Sequence, residues 1–114
     1  MKKYLLGFCL LLQFTLFSQT KETYQIGILL DFRTTEIEPL LKVMQDQIIA
    51  VVGEDAIIVF SEQDILVNIY DTTTAKAQYD QLIQSDVDII IAFGAINNEI
   101  FSNIENFEKP SILF

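Results

Sequence analysis

The sequence predicts an α/β domain: a parallel sheet with flanking helices in the order β-α-β-(β)-α-β-α-β. Three observations predict it. Extended apolar runs alternate with helix-patterned stretches from Tyr24 to the end of the chain, the pattern of βαβ units joined by right-handed crossovers. Residues 86–97 read DVDIIIAFGAIN, an apolar run closing at Phe93, as expected of a strand covered by helices on both faces. That run stops at Gly94 and gives way at once to helix-compatible sequence. A strand that ends this way must turn sharply, and the backbone N–H groups of the helix start then face the carboxyl edge of the sheet, where open α/β sheets bind ligands.

Taken in order, Tyr24 to Phe32 (YQIGILLDF) reads as a strand, with Ile26, Ile28, Leu29 and Leu30 as its apolar content. Thr34 to Val52 reads as a helix with Ile37, Leu40, Leu41, Met44, Ile48, Val51 and Val52 on one face. Thr35 with Glu38 fits a capping box, Pro39 is tolerated in the first turn, and Gly53 is a natural C′ stop. Ala56 to Phe60 is a short strand, Ser61 to Asp64 a polar break, and Ile65 to Tyr70 a second extended run. The two runs pair as a hairpin, or one of them is an irregular connection. Asp71 to Thr74 is a loop with Thr74 as the expected N-cap of a second helix, whose apolar stripe is Ala75, Tyr79, Leu82 and Ile83. After the strand at 86–93, a third helix is expected from Asn97 to Phe107 with Ile100, Phe101, Ile104 and Phe107 inward. Lys109-Pro110 breaks it, and Ser111 to Phe114 starts another strand.

Residues 1–18 have a different composition from the rest. Lys2 and Lys3 precede an apolar run from Tyr4 to Phe17, and Ser18 offers a small residue for cleavage, which together predict a secretory signal peptide. The run is short for a membrane span, and Cys9 lies too early in it for a lipid-attachment box. The expected mature domain, 19–114, contains no cysteine and no histidine. Disulfides, His-based nucleophilic triads and the usual zinc sites are therefore excluded from it, and no cofactor is expected. Loss of Lys2 and Lys3 from the 7 basic residues leaves 5 against 16 acidic ones, a net charge of −11. That charge argues against nucleic acid or anionic membranes as partners. The final apolar run, Ile112-Leu113-Phe114, leads us to expect an incomplete lobe continued by further chain.

Candidate ligand-binding residues cluster at the expected carboxyl edge: Asp31, Arg33, Thr34, Asp71, Thr72, Gly94, Ala95 and Asn97. Asp31 and Asp71 offer carboxylates for a hard cation, or else cap the turns that follow them. Arg33, the only arginine, is suited to a forked contact with an anion, with a surface ion pair to Glu36 or Glu38 as the rival reading. Asn97 and Asn98 bond a ligand or cap their own helix. Phe32 and Tyr70 are placed to stack on a ligand or to form the rim of the core. Asp86 and Asp88 fall at the opposite edge and read as turn residues. No glycine-rich phosphate loop follows the first strand, which disfavours Rossmann or P-loop nucleotide binding.

The succession IGILLDF, a long helix ending in Gly, IYDTTTAKAQYDQLI, DVDIIIAFGA and KPSILF resembles the first lobe of a type I periplasmic substrate-binding protein, with Asp71, Gly94-Ala95 and Pro110 in matching places. The resemblance implies an exported, non-enzymatic module, the Rossmann-like half of a two-lobed binding protein. Its partners would be a small-molecule ligand, a missing second lobe, and transporter or efflux components of the envelope. The loop after Asp31 lacks the glycine-rich opening common among amino-acid binders, and Ile57 to Tyr70 is longer than a plain second strand. Both departures weigh against an amino-acid ligand, and the chain resembles more nearly the binding-protein-like domains associated with envelope efflux systems, including ones that precede an outer-membrane efflux channel in the same polypeptide. A small exported flavodoxin-like enzyme, a metal-dependent domain and a structural interaction domain of the envelope are the rival readings.

Overall fold

The computed structural model describes residues 20–114; the expected signal peptide and Cys9 lie outside them. Four strands form one sheet: β1 (Glu22–Leu30), β2 (Ala56–Val67), β3 (Ile89–Ala92) and β4 (Ser111–Leu113). Their spatial order is β2-β1-β3-β4 and every pairing is parallel. Helices α1 (Ile37–Val52), α2 (Thr72–Gln84) and α3 (Ala95–Ser102) are the crossovers. The fold is thus α/β and Rossmann-like, as the alternation predicts.

Alternation along β1 sets the two faces. Ile28 and Leu30 pack with Leu41 of α1 and Ile65 of β2, while Leu29 packs with Ala75, Tyr79 and Leu82 of α2 and with Ile100 and Phe101 of α3. Two helices therefore cover one face and one helix covers the other, as right-handed crossovers demand when the chain steps from β1 to β2 in one direction and then from β2 past β1 to β3 and β4 in the other. Gly27 lets α2 approach closely, since a Cβ there would lie 2.9 Å from Leu82 Cδ1. The C-terminus of α2 is held by Lys109, whose ammonium donates to the carbonyls of Leu82 and Ser85 at 2.8 Å each, a cation where the helix dipole favours one.

Several local expectations are corrected. The runs at 56–60 and 65–70 are neither a hairpin nor separate elements, because both pair parallel with β1 within a single β2 that ends at Val67. Between the pairs Ile26↔Phe60 and Ile28↔Ile65, β1 advances two residues and β2 five. The polar break Ser61–Asp64 is the resulting bulge, which absorbs the extra length without leaving the sheet. Helix α1 starts at Ile37 without a side-chain cap from Glu36, so the Thr35–Glu38 box does not form. Glu38 is drawn instead to Arg33. Gly53 ends α1 as expected, at φ −67°, and its place there is set by space, since a Cβ would lie 2.5 Å from Ile49 O. The N-cap of α2 is Asp71, not Thr74: its carboxylate accepts from Thr74 N at 2.8 Å. Helix α3 begins two residues early and stops at Ser102, leaving Phe107 about half exposed, with its ring 5.7 Å from that of Phe101.

The apolar stripe of α1 is only partly buried. Leu41 is 7% exposed, but Leu40 is 66% and Val51 76% exposed. Four strands about 4.8 Å apart span more than a single helix of about 10 Å diameter can cover, so part of this face stays open beside α1.

The burial difference fixes a test. Leu82→Ala should cost about 2–5 kcal/mol of stability, whereas Val51→Ala should stay within about 0.5 kcal/mol of wild type. Urea denaturation followed by circular dichroism measures both; equal effects would mean that the core is not where the packing puts it.

Candidate functional site

The chain leaves β1 at Asp31, which is 3% exposed. Its Oδ1 accepts from Asn68 Nδ2 at 2.8 Å and from Asn97 N at 3.2 Å, and its Oδ2 accepts from Ile96 N at 2.8 Å. Its backbone carbonyl takes the N–H of Tyr70 at 3.2 Å, and Leu30 O takes that of Asn68 at 2.9 Å. One carboxylate thereby ties the end of β1 to the loop after β2 and to the start of α3. An acid is favoured in that position because the helix start presents unpaired N–H groups and the positive end of its dipole.

Gly94 makes this contact possible. It sits at φ +104°, and a Cβ on it would lie 2.2 Å from Asp31 Oδ2. Conformation and space both exclude any other residue. Of the N–H groups from Gly94 to Asn97 expected to face a ligand, two are taken up inside the protein. Those of Ile96 and Asn97 are already bonded to Asp31.

The other sequence-predicted residues separate into groups. Asp31, Gly94, Ala95 and Asn97 come together at the α3 start, where Asn97 is buried and donates from Nδ2 to Phe93 O at 3.0 Å. Asn98 donates from Nδ2 to Gly94 O at 2.7 Å and to Phe114 O at 3.1 Å. Arg33 is engaged by two carboxylates: Nε donates to Glu38 at 2.5 Å and Nη2 to its other oxygen at 3.2 Å, while Nη1 donates to Glu62. The hydrogen bonds to Glu38 and Glu62 hold the guanidinium above its ordinary range. The carbonyl of Thr34 accepts from Ile37 N at 3.1 Å and starts α1. Asp71 and Thr72 lie at the start of α2, with Asp71 N bonded to Asn68 O at 3.2 Å. The carboxylate of Asp71 is held below its ordinary range by the side-chain and backbone hydrogen bonds of Thr74. Phe32 and Tyr70 stack on each other, 5.7 Å apart and 16° from parallel.

Beside Asp31 and Gly94 lies a cavity of about 300 Å³. Leu30, Asp31 and Phe32 follow β1 into it, Phe93 and Gly94 follow β3, and Ile37, Leu40, Leu41 and Met44 form its α1 wall. Phe114 completes it, its ring stacked on Phe93 at 4.9 Å and 10°. The cavity sits between the carboxyl ends of β1 and β3, where the connection from β1 runs to β2 on one side and that from β3 runs to β4 on the other. This is the topological switch point of the sheet. Sequence reasoning placed the edge but missed the α1 wall and Phe93, because Leu40, Leu41 and Met44 have the spacing of ordinary core residues. The one available signal was an apolar stripe too wide for a helix that covers its face alone.

Among the described residues, no group of three or more His, Cys, Asp or Glu side chains is placed to hold a metal ion, and no helix is long and apolar enough to cross a membrane. Compared with family models, curated proteins and solved structures, the chain matches none.

Two outcomes test the site's construction. Gly94→Ala and Asp31→Ala should each cost on the order of 3 kcal/mol, the first by strain and clash, the second by leaving Asn68, Ile96 and Asn97 donors unpaired. Chemical denaturation reads both, and a near-neutral Gly94→Ala would contradict the Asp31 contact. The Asp71 cap gives a pH signature. Its folded pKa is depressed, so its stabilisation is present above the unfolded carboxylate pKa of about 3.9 and lost as pH falls through the folded value. The stability difference between wild type and Asp71→Ala should therefore be largest near neutral pH and shrink below about pH 4.

Proposed function

We propose that this chain is an exported small-molecule-binding module, the first lobe of a periplasmic binding-protein-like domain serving transport or efflux across the cell envelope. The observation that carries the reading is the cavity at the switch point between β1 and β3, where open α/β sheets receive their ligands. The basic-then-apolar start of the sequence supports export.

The site suits binding rather than catalysis. Of the side chains lining the cavity, Asp31 alone is ionisable, and three donors already hold its carboxylate. What the geometry offers is a preformed surface. Asp31 and Gly94 fix one end of the cavity through buried hydrogen bonds, and Leu41 fixes its α1 wall, so little ordering accompanies binding. A second lobe closing over Phe32 and Phe114 would exclude water from a ligand that this lobe covers on one side. A second reading, a docking domain for another envelope protein, draws on the exposed apolar residues of α1, with Val43 57%, Ile49 43% and Val51 76% exposed.

Thermal denaturation of the purified chain against amino acids, monosaccharides, inorganic phosphate and neutral aromatic compounds separates the readings. A binding module is stabilised by its ligand class, by about 2.7 kcal/mol at a hundredfold excess over Kd. Leu40→Trp, which fills the cavity from an exposed helix position, should remove that shift. No response to any class, together with a self-associating or partner-binding α1 face, would favour docking.

A further inference from the structure

We infer that the ligand of this cavity is an apolar molecule bearing an aromatic ring and no anionic group, and not an amino acid, a sugar or a phosphorylated compound. The inference rests on the small-molecule reading above and names the chemistry of that same site.

Three observations converge on it. The first is the lining. Leu30, Leu40, Leu41 and Met44 present aliphatic surface, and Phe93 stacked on Phe114 presents an aromatic wall. Burial against such a surface is driven by apolar area and offers no hydrogen bonds to replace those a sugar or a zwitterion would lose on leaving water.

The second is the state of the polar groups that would otherwise read a charged ligand. The Ile96 and Asn97 N–H groups at the α3 start are bonded to Asp31. The Arg33 guanidinium is bonded to Glu38 and Glu62. An incoming carboxylate or phosphate would have to displace an internal acid from either place, and it would approach an Asp31 carboxylate already fixed in the cavity wall. The 16 acidic residues of the chain, all beyond residue 20, add a long-range field of the same sign. Charge complementarity therefore disfavours every anion.

The third is the mouth. Phe32 is 41% exposed and Tyr70 62% exposed, yet their rings are stacked beside the opening. Tyr70 is held there by a loop in which two consecutive non-glycine residues, Ile69 and Tyr70, have φ of 54° and 57°. That conformation is costly for any side chain and most of all for a β-branched one. Paired rings at the rim, with a third ring at Phe114, form a surface on which a flat apolar ligand stacks.

A matched pair of fluorescent probes tests the inference on the full chain. N-phenyl-1-naphthylamine is uncharged, and 8-anilinonaphthalene-1-sulfonate has the same rings with a sulfonate added. The neutral probe should bind saturably with enhanced emission, and the sulfonate about tenfold or more weaker at low salt. Leu40→Glu should abolish binding of the neutral probe, because it introduces a charge at the cavity wall. Val51→Glu, at an exposed α1 position outside the cavity, should leave binding unchanged and shows that the fold tolerates the charge. Equal or tighter sulfonate binding overturns the inference and leaves the small-molecule reading standing. So does stabilisation by an amino acid, sugar or phosphate that the neutral probe fails to produce. Probe binding insensitive to Leu40→Glu overturns the location. A dimer in light scattering that excludes the probe overturns both, because a second copy would then occupy the groove.

Discussion

Asp31 holds the carboxyl edge of this sheet together. Its carboxylate accepts hydrogen bonds from Asn68 Nδ2 and from the first free N–H groups of α3, and its backbone carbonyl accepts from Tyr70. The loop after β2 and the turn after β3 are far apart in sequence, and the carboxylate joins them just beyond their last backbone bonds to β1, Asn68 N to Leu30 O and Phe93 N to Leu29 O. A single buried acid gives both a fixed position, and the helix dipole makes its charge tolerable there. Gly94 is the other half of the contact, since any side chain would occupy the volume of the carboxylate.

The same contact shapes what the edge can bind. In many α/β domains an exposed helix start in this position is an anion site. Here an internal anion already fills it, and the accessible surface beside it is apolar. Among the described residues α1 is the one helix on its face of the sheet, and the cavity lies beside it. Ile91 and Ile112 are register partners, as are Ile90 and Ser111 on the opposite side. On the α1 side that row ends in Phe93 stacked on Phe114, with Ile112 48% and Phe114 64% exposed. Apolar strand surface without a covering helix is what a ligand or a partner is suited to cover.

Much of this was legible in the residues. The apolar run ending at Phe93, followed by Gly94, located the buried strand and the turn at the carboxyl edge. The stripe Ala75, Tyr79 and Leu82 located the buried face of α2. What failed failed for local reasons. Thr74 and Asp71 are both good N-caps, and the choice between them depends on which residue is the last with extended backbone before the helix, as Asp71 is at φ −111° and ψ 116°. The polar break at 61–64 looked like the end of a strand, because a bulge and a turn use the same residue types. Arg33 read as a forked contact to an anion or as an ion pair with Glu36 or Glu38; the pair forms with Glu38, and what no local pattern gave was Glu62, brought to it by β2 across 29 residues.

The sequence by itself determined the class of fold, the order of its elements and the edge at which they open, because these follow from hydrophobic periodicity and glycine placement within short windows of chain. Only the tertiary structure decided what lies at that edge. Whether the α3 N–H groups face solvent or Asp31, whether Arg33 is paired, and whether Leu40 packs in the core or walls a cavity all depend on which distant residues the sheet order brings together. No local pattern encodes that juxtaposition, since each of these side chains has the same propensity and the same spacing in either arrangement.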